Sequence, residues 1–192
     1  NGQKLTTTFT YDGTGQILTV TEGADSTAAK VTQNTYDGAG RLIEQVVDPA
    51  GLRLTTHYVY DPAGNLVSET NAAGGVTHHV YDAAGREIGS VGPTGTVIAI
   101  DRDAEGRIVK RTVHATLAAL ATLPDQLTAE QLRALVPASQ QDEIGRNVYD
   151  ADGRLRFTVD AAGAVTELTY DAGNNVIRKT AYAGFIDPAD GE

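Results

Sequence analysis

One string of letters constrains this chain more than any other: Tyr36-Asp37-Gly38-Ala39-Gly40-Arg41-Leu42, which recurs along almost the whole length. Close copies begin at Tyr11-Asp12, Tyr60-Asp61, Tyr81-Asp82, Tyr149-Asp150 and Tyr170-Asp171. A degenerate copy, Arg102-Asp103 followed by Gly106-Arg107-Ile108, keeps the turn and loses the tyrosine. The first letters stand at 11, 36, 60, 81, 102, 149 and 170, so the gaps are 25, 24, 21, 21, 47 and 21. The unit is 21 residues, with small insertions and one large one. A fixed period of this length marks a repeat protein.

Each copy reads as a β-hairpin. Ahead of the first, Leu5, Phe9 and Tyr11 alternate with Thr6, Thr8 and Thr10, and period two means strand. Asp-x-x-Gly then fits a type I turn, with the Asp carboxylate accepting backbone N–H groups at the first corner. Gly15, Gly40, Gly64, Gly85 and Gly153 stand at the fourth position. A positive φ there forms the bulge that joins two right-twisted strands across a type I turn, at a cost of about 1–2 kcal/mol for a residue with a β-carbon. The sixth motif tyrosine, Tyr170, is followed by Asn174 instead, the next most tolerant residue at positive φ. Two residues past the turn the chain is apolar at Ile17, Leu42, Leu66, Ile108, Leu155 and Val176, with Glu87 the exception.

Between motifs lies a second turn signal, at Asp48-Pro49-Ala50-Gly51, Asn71-Ala72-Ala73-Gly74, Gly92-Pro93-Thr94-Gly95 and Asp160-Ala161-Ala162-Gly163. Each unit is thus two short strands and two turns, and the short connections predict an antiparallel meander. The fold class expected is all-β: hairpin repeats forming one long strip with a short helical insertion. Sheets twist by roughly 20–25° per strand, so a dozen strands must coil or roll up. An apolar content of 41% with only three Phe and no Trp suits a wall one sheet deep, stabilised repeat by repeat.

The large gap carries the insertion, residues 115–140, within an array expected to span 1–192. Thr128-Ala129-Glu130-Gln131 is a capping box, with Leu127 and Leu132 placed as its hydrophobic staple. The helix presents Leu132, Leu135 and Val136 on one side and stops at Pro137. Upstream, Leu117, Leu120 and Leu123 suggest a shorter helical turn ending at Pro124, and all these leucines are expected to dock on the sheet.

Composition narrows the function. A net charge of −10 repels nucleic acid and anionic membranes. No run approaches the ~20 apolar residues of a membrane span, and no signal peptide is visible. Zero cysteines remove disulfides, thiolate metal sites and a Cys nucleophile. The chain contains no Met and begins at Asn1, as an excised or processed piece would.

Catalytic patterns fare badly. Ser26, Ser68, Ser90 and Ser139 lie in no nucleophile elbow. His57 and His78 occupy equivalent repeat positions two strands apart, about 9.5 Å, too far to share zinc. These, His79 and His114 read as half-exposed strand or border histidines. The turn carboxylates show no pair with divergent environments for glycoside hydrolysis, and the turn glycines open no helix for phosphate. One calcium candidate stands out: Asp101, Asp103 and Glu105 match the start of an EF-hand loop, although its twelfth position is Thr112. No cofactor is implied.

The pattern Y-D-x-x-G-R-L at about 21-residue spacing, with D-x-x-G half-way, resembles the Rhs/YD-repeat family, whose members include bacterial Rhs proteins, insecticidal toxin complex B and C components, and teneurins. The likeness runs from residue 5 to about 182 outside the insertion. It implies a sheet strip spiralling into a hollow shell, which in the bacterial proteins encloses a toxin, and carbohydrate binding has been attributed to some such repeats. Asp48-Pro49-Ala50-Gly51-Leu52 also matches the letters of the family's autoproteolysis segment, but it lies at the regular second-turn position with more repeats following, and reads as a turn.

The expectation is a structural wall segment of a large secreted or surface bacterial protein, partnered by neighbouring repeats and an enclosed toxin. The alternatives are an adhesion module that binds glycans or protein through exposed residues such as Tyr58, and a calcium-stabilised repeat.

Overall fold

The computed structural model describes residues 5–185, which fold into antiparallel strands with one short helix and one 3-10 turn. The chain falls into two compact units, residues 1–77 and 78–192. The first carries β1 (Thr7–Tyr11), β2 (Ile17–Glu22), β3 (Lys30–Tyr36), β4 (Leu42–Val47), β5 (Leu54–Tyr60) and β6 (Leu66–Thr70). The second takes most of β7 (Val76–Tyr81), then β8 (Glu87–Val91), β9 (Val97–Arg102), β10 (Ile108–Val113), β11 (Glu143–Tyr149), β12 (Leu155–Val159), β13 (Ala164–Tyr170) and β14 (Val176–Phe185). Within each unit, strands adjacent in sequence pair antiparallel, as short connections require.

The motif turn forms as its letters dictate. In the second copy the Gly40 N–H donates to the Asp37 carbonyl at 2.9 Å, and the Asp37 N–H donates to the Arg41 carbonyl at 2.9 Å. Gly40 has φ 80° and the register slips by one between Thr35 and Tyr36, the bulge that a type I hairpin needs. Asn174 fills the same role with φ 64°.

Three second turns follow the same plan, closing at Gly74, Gly95 and Gly163. The turn after β4 departs from it. Positive φ falls at Asp48 (54°) and Arg53 (48°) rather than at Gly51, and the N–H groups of Gly51 and Arg53 both reach the Asp48 carbonyl. The Asp48 carboxylate accepts the Leu52 N–H at 2.8 Å and lies where a β-carbon on Gly51 would sit. This segment is a turn, but a wider one than its spacing suggested.

The main apolar cluster lies in the second unit. Between β10 and β11 the chain forms a 3-10 turn, Leu120–Thr122, and helix α1, Ala129–Ala134. Thr128 and Gln131 close the capping box reciprocally, at 3.2 and 2.9 Å. Leu127, Leu132 and Val136, with Ala118, pack on Val80, Val91 and Val97, which are almost wholly buried. Gly89 lets both β9 and the helix come this close: a β-carbon there would run into the Ile98 carbonyl oxygen and stand 2.6 Å from Leu132 Cδ2. Leu123 and Leu135 pack against the cluster, but Leu117 and Leu120 do not, remaining 57% and 42% exposed. A three-residue 3-10 turn is too short to bring all three upstream leucines to one side, which corrects the expected docking.

Candidate functional site

Within each unit the recurring letters build a ladder between repeats. Six of the seven motif Asp residues engage both carboxylate oxygens. Asp37 Oδ1 accepts the N–H groups of Ala39 and Arg41 at 2.9 Å, while Oδ2 takes the Arg41 Nε at 2.8 Å and Nη2 at 2.7 Å. Asp82 with Arg86, Asp103 with Arg107 and Asp150 with Arg154 repeat the pairing. The backbone N–H of the arginine, then its side chain, hold the Asp37 and Asp82 carboxyls below the ordinary value. At Asp103 burial pulls the other way and is outweighed by the hydrogen bonds from Arg107.

The arginine then reaches the next repeat. The Cζ of Arg41 sits 4.9 Å from the ring centroid of Tyr60, Arg107 stands 4.6 Å from Tyr149, and Arg154 stands 5.0 Å from Tyr170. The same tyrosines look backward. Tyr36 donates its hydroxyl to the Ile17 carbonyl, Tyr60 to Leu42, Tyr149 to Ile108 and Tyr170 to Leu155, at 2.9, 2.9, 3.1 and 2.7 Å. Each acceptor is the apolar residue two past the preceding turn glycine, so the arginine reaches forward and the tyrosine backward between neighbouring units.

The degenerate copy shows how the rung survives without tyrosine. Arg102 donates through Nη2 to the Glu87 carbonyl at 2.9 Å, the position a tyrosine hydroxyl takes elsewhere, and through Nη1 to the Gly106 carbonyl at 2.9 Å. Sequence reasoning missed both the arginine rung and this replacement. The available signal was co-occurrence: Arg41, Arg107 and Arg154 each precede a copy that begins with tyrosine.

Other candidates are placed apart. Tyr58 is half-buried, with its hydroxyl pKa raised by burial and by Glu69, which corrects the reading of it as an exposed binding tyrosine. Glycan stacking gains no support from Tyr36, Tyr60, Tyr149 and Tyr170, which are also half-buried, hydroxyls engaged. Among the calcium candidates, Asp103 and Glu105 both engage Arg107, at 2.6 and 3.1 Å, while Asp101 lies within β9 opposite Lys110. Among the described residues there is no group of three His, Asp or Glu arranged to hold a metal ion. His57 is exposed beside Glu44, and His79 meets Glu87 at 2.9 Å. His114 is mostly buried, its Nδ1 3.0 Å from Asp142. Burial raises the Asp142 carboxyl, but N–H groups from Ala115 and Ser139, with His114, bring it below the ordinary value. This carboxylate ties the two ends of the insertion together.

Strand pairing and ladder define the class: an all-β protein of antiparallel hairpin repeats joined by a side-chain spine. The family model described as RHS Repeat matches residues 36–77 and 149–184. Among solved structures, the TcdB2–TccC3 complex is 15% identical over 96% of this chain with a TM-score of 0.42. The Tc holotoxin pore of Photorhabdus luminescens is 16% identical over 94% with a TM-score of 0.38. This chain spans 12% of the length of each matched chain. No curated protein matches it. Among the described residues no helix is long and apolar enough to cross a membrane.

Proposed function

We propose that this chain is a stretch of structural wall in a shell of RHS repeats, belonging to a large bacterial protein that is secreted or displayed at the cell surface. In this reading residues 1–192 form one array, the insertion at 115–140 caps its inner or outer face, and the strip spirals around an enclosed toxin domain. The observation that carries it is the ladder: recurrent Arg and Tyr side chains join one repeat to the next, and the turn Asp carboxylates hold the arginines in place. Residues conserved by repetition and used up in this way serve extension of a wall.

Limited proteolysis of the full-length protein containing this chain tests the proposal. A domain within the shell is expected to resist digestion until the ladder is broken by combined Arg107→Ala and Arg154→Ala substitutions. Equal digestion of that domain before and after ladder disruption would count against enclosure.

A further inference from the structure

The first rung of the ladder is incomplete. Six of the seven motif carboxylates fill their Oδ2: Asp37, Asp82, Asp103 and Asp150 with arginine, Asp61 and Asp171 with the amides of Asn65 and Asn175. Asp12 is the seventh. Its Oδ1 takes the Thr14 and Gln16 N–H groups and the Thr14 hydroxyl, but its Oδ2 has no partner among the described residues. Where Arg41 stands in the next copy, the first copy has Gln16, whose amide reaches past to the Gly40 carbonyl at 2.7 Å. The ring of Tyr36, anchored through its hydroxyl to Ile17, consequently lacks the guanidinium that covers Tyr60, Tyr149 and Tyr170.

The space left is a groove of about 700 Å³ lined by Asp12, Thr14, Gln16, Asn34, Tyr36 and Asp37 among others. We propose that this groove receives the guanidinium of an arginine side chain from a partner polypeptide, seated between Asp12 Oδ2 and the face of Tyr36. The chain's own rungs define the chemistry: Arg41, Arg107 and Arg154 satisfy a motif carboxylate and a tyrosine face at once. Arginine meets both demands because its planar fork hydrogen-bonds in its plane and stacks above it, which lysine cannot do together. A net charge of −10 draws a cationic segment toward the surface.

N-acetyl-arginine-amide is titrated into the isotope-labelled chain at neutral pH, followed by NMR at the amides of Asp12, Tyr36 and Gly40. Saturable shifts confined to this groove are expected, with a Kd on the order of millimolar for one isolated side chain. The neutral citrulline derivative is expected to produce none. Gln16→Arg supplies the cation from within, so it should raise the melting temperature and weaken the response by at least about tenfold. Asp12→Asn keeps the turn, since Asn71 caps Ala73 and Gly75 in the same manner, and should also lose binding. Absence of shifts at the groove, equal response to citrulline, or undiminished binding by both folded variants would overturn the proposal.

Discussion

The guanidinium of Arg41 lies over the ring of Tyr60, 4.9 Å from its centroid, while Nη1 donates to the Asp61 carbonyl at 3.1 Å. One side chain thereby covers the next repeat's aromatic and tethers the next repeat's turn. Tyr60 returns a bond to the Leu42 carbonyl, one residue past Arg41. The contact is reciprocal between neighbours, as in solenoids whose stability is a sum of units and nearest-neighbour terms.

Removing only the backward bond should have a modest, measurable effect. Tyr60→Phe keeps the ring under Arg41 and strips the donor from the Leu42 carbonyl, at an expected loss of about 1 kcal/mol by urea denaturation. Tyr60→Leu should lose more, because the cation–π contact goes too. Equal stability in the two variants would place the ring contact outside the energetics.

Arg102 offers the converse experiment. It occupies the tyrosine position and already donates to Glu87. Arg102→Tyr is expected to restore the standard rung and stay within about 1 kcal/mol of the parent, whereas Arg102→Ala leaves two carbonyls without donors and should cost about 1–3 kcal/mol. If tyrosine proves as damaging as alanine, the two residues do not share one role.

Hairpins, turn type and capping box were legible because each is a local rule: period two, Asp-x-x-Gly, Thr-x-x-Gln. The side-chain spine was not, because its partners are 19 residues apart in Tyr36–Ile17 and 41 apart in Tyr149–Ile108. Nothing in either strand alone says that a tyrosine hydroxyl must find a carbonyl in the preceding unit. Gly89 was visible as a strand glycine, but its use depended on Leu132, which lies across the insertion. The turn at Asp48 shows the opposite limit: its letters fit the periodic scheme, and its backbone takes another path.

The turn glycines should punish bulk through conformation. Gly40 and Gly85 have φ of 80° and 73°, so valine at either is expected to lose at least about 1–2 kcal/mol, read as a lower urea midpoint. An unchanged midpoint in both variants contradicts the hairpin geometry.

The insertion should come off its sheet when the Gly89 contact is blocked. Leu132 is 3% exposed, and Leu132→Ala is expected to cost about 2–5 kcal/mol in the cooperative transition. Gly89→Val should obstruct both the Ile98 carbonyl on β9 and Leu132 and so expose the same cluster, raising hydrogen exchange in α1 and at Val91 and Val97 while the first unit keeps its protection. Exchange spread evenly over both units would mean that the helix is not a local cap.

Acid should loosen the ladder in a defined direction. The carboxyls of Asp37, Asp82 and Asp150 are held below the ordinary 3.8, in each case first by the backbone N–H of the arginine four residues on. A folded-state pKa below the unfolded one means that the folded protein binds fewer protons at intermediate pH. Their contribution is therefore complete above pH 3.8 and is lost as pH falls through the lower folded values. Melting temperature should hold steady from neutrality down to that region and then drop, with added salt reducing stability at neutral pH by screening the Arg–Asp pairs. Asp37→Asn keeps the Oδ1 cap but removes the charge facing Arg41, so it should be less stable at pH 7 and lose less on acidification. Parallel acid limbs for the parent and Asp37→Asn would show that this carboxylate does not carry the pH dependence.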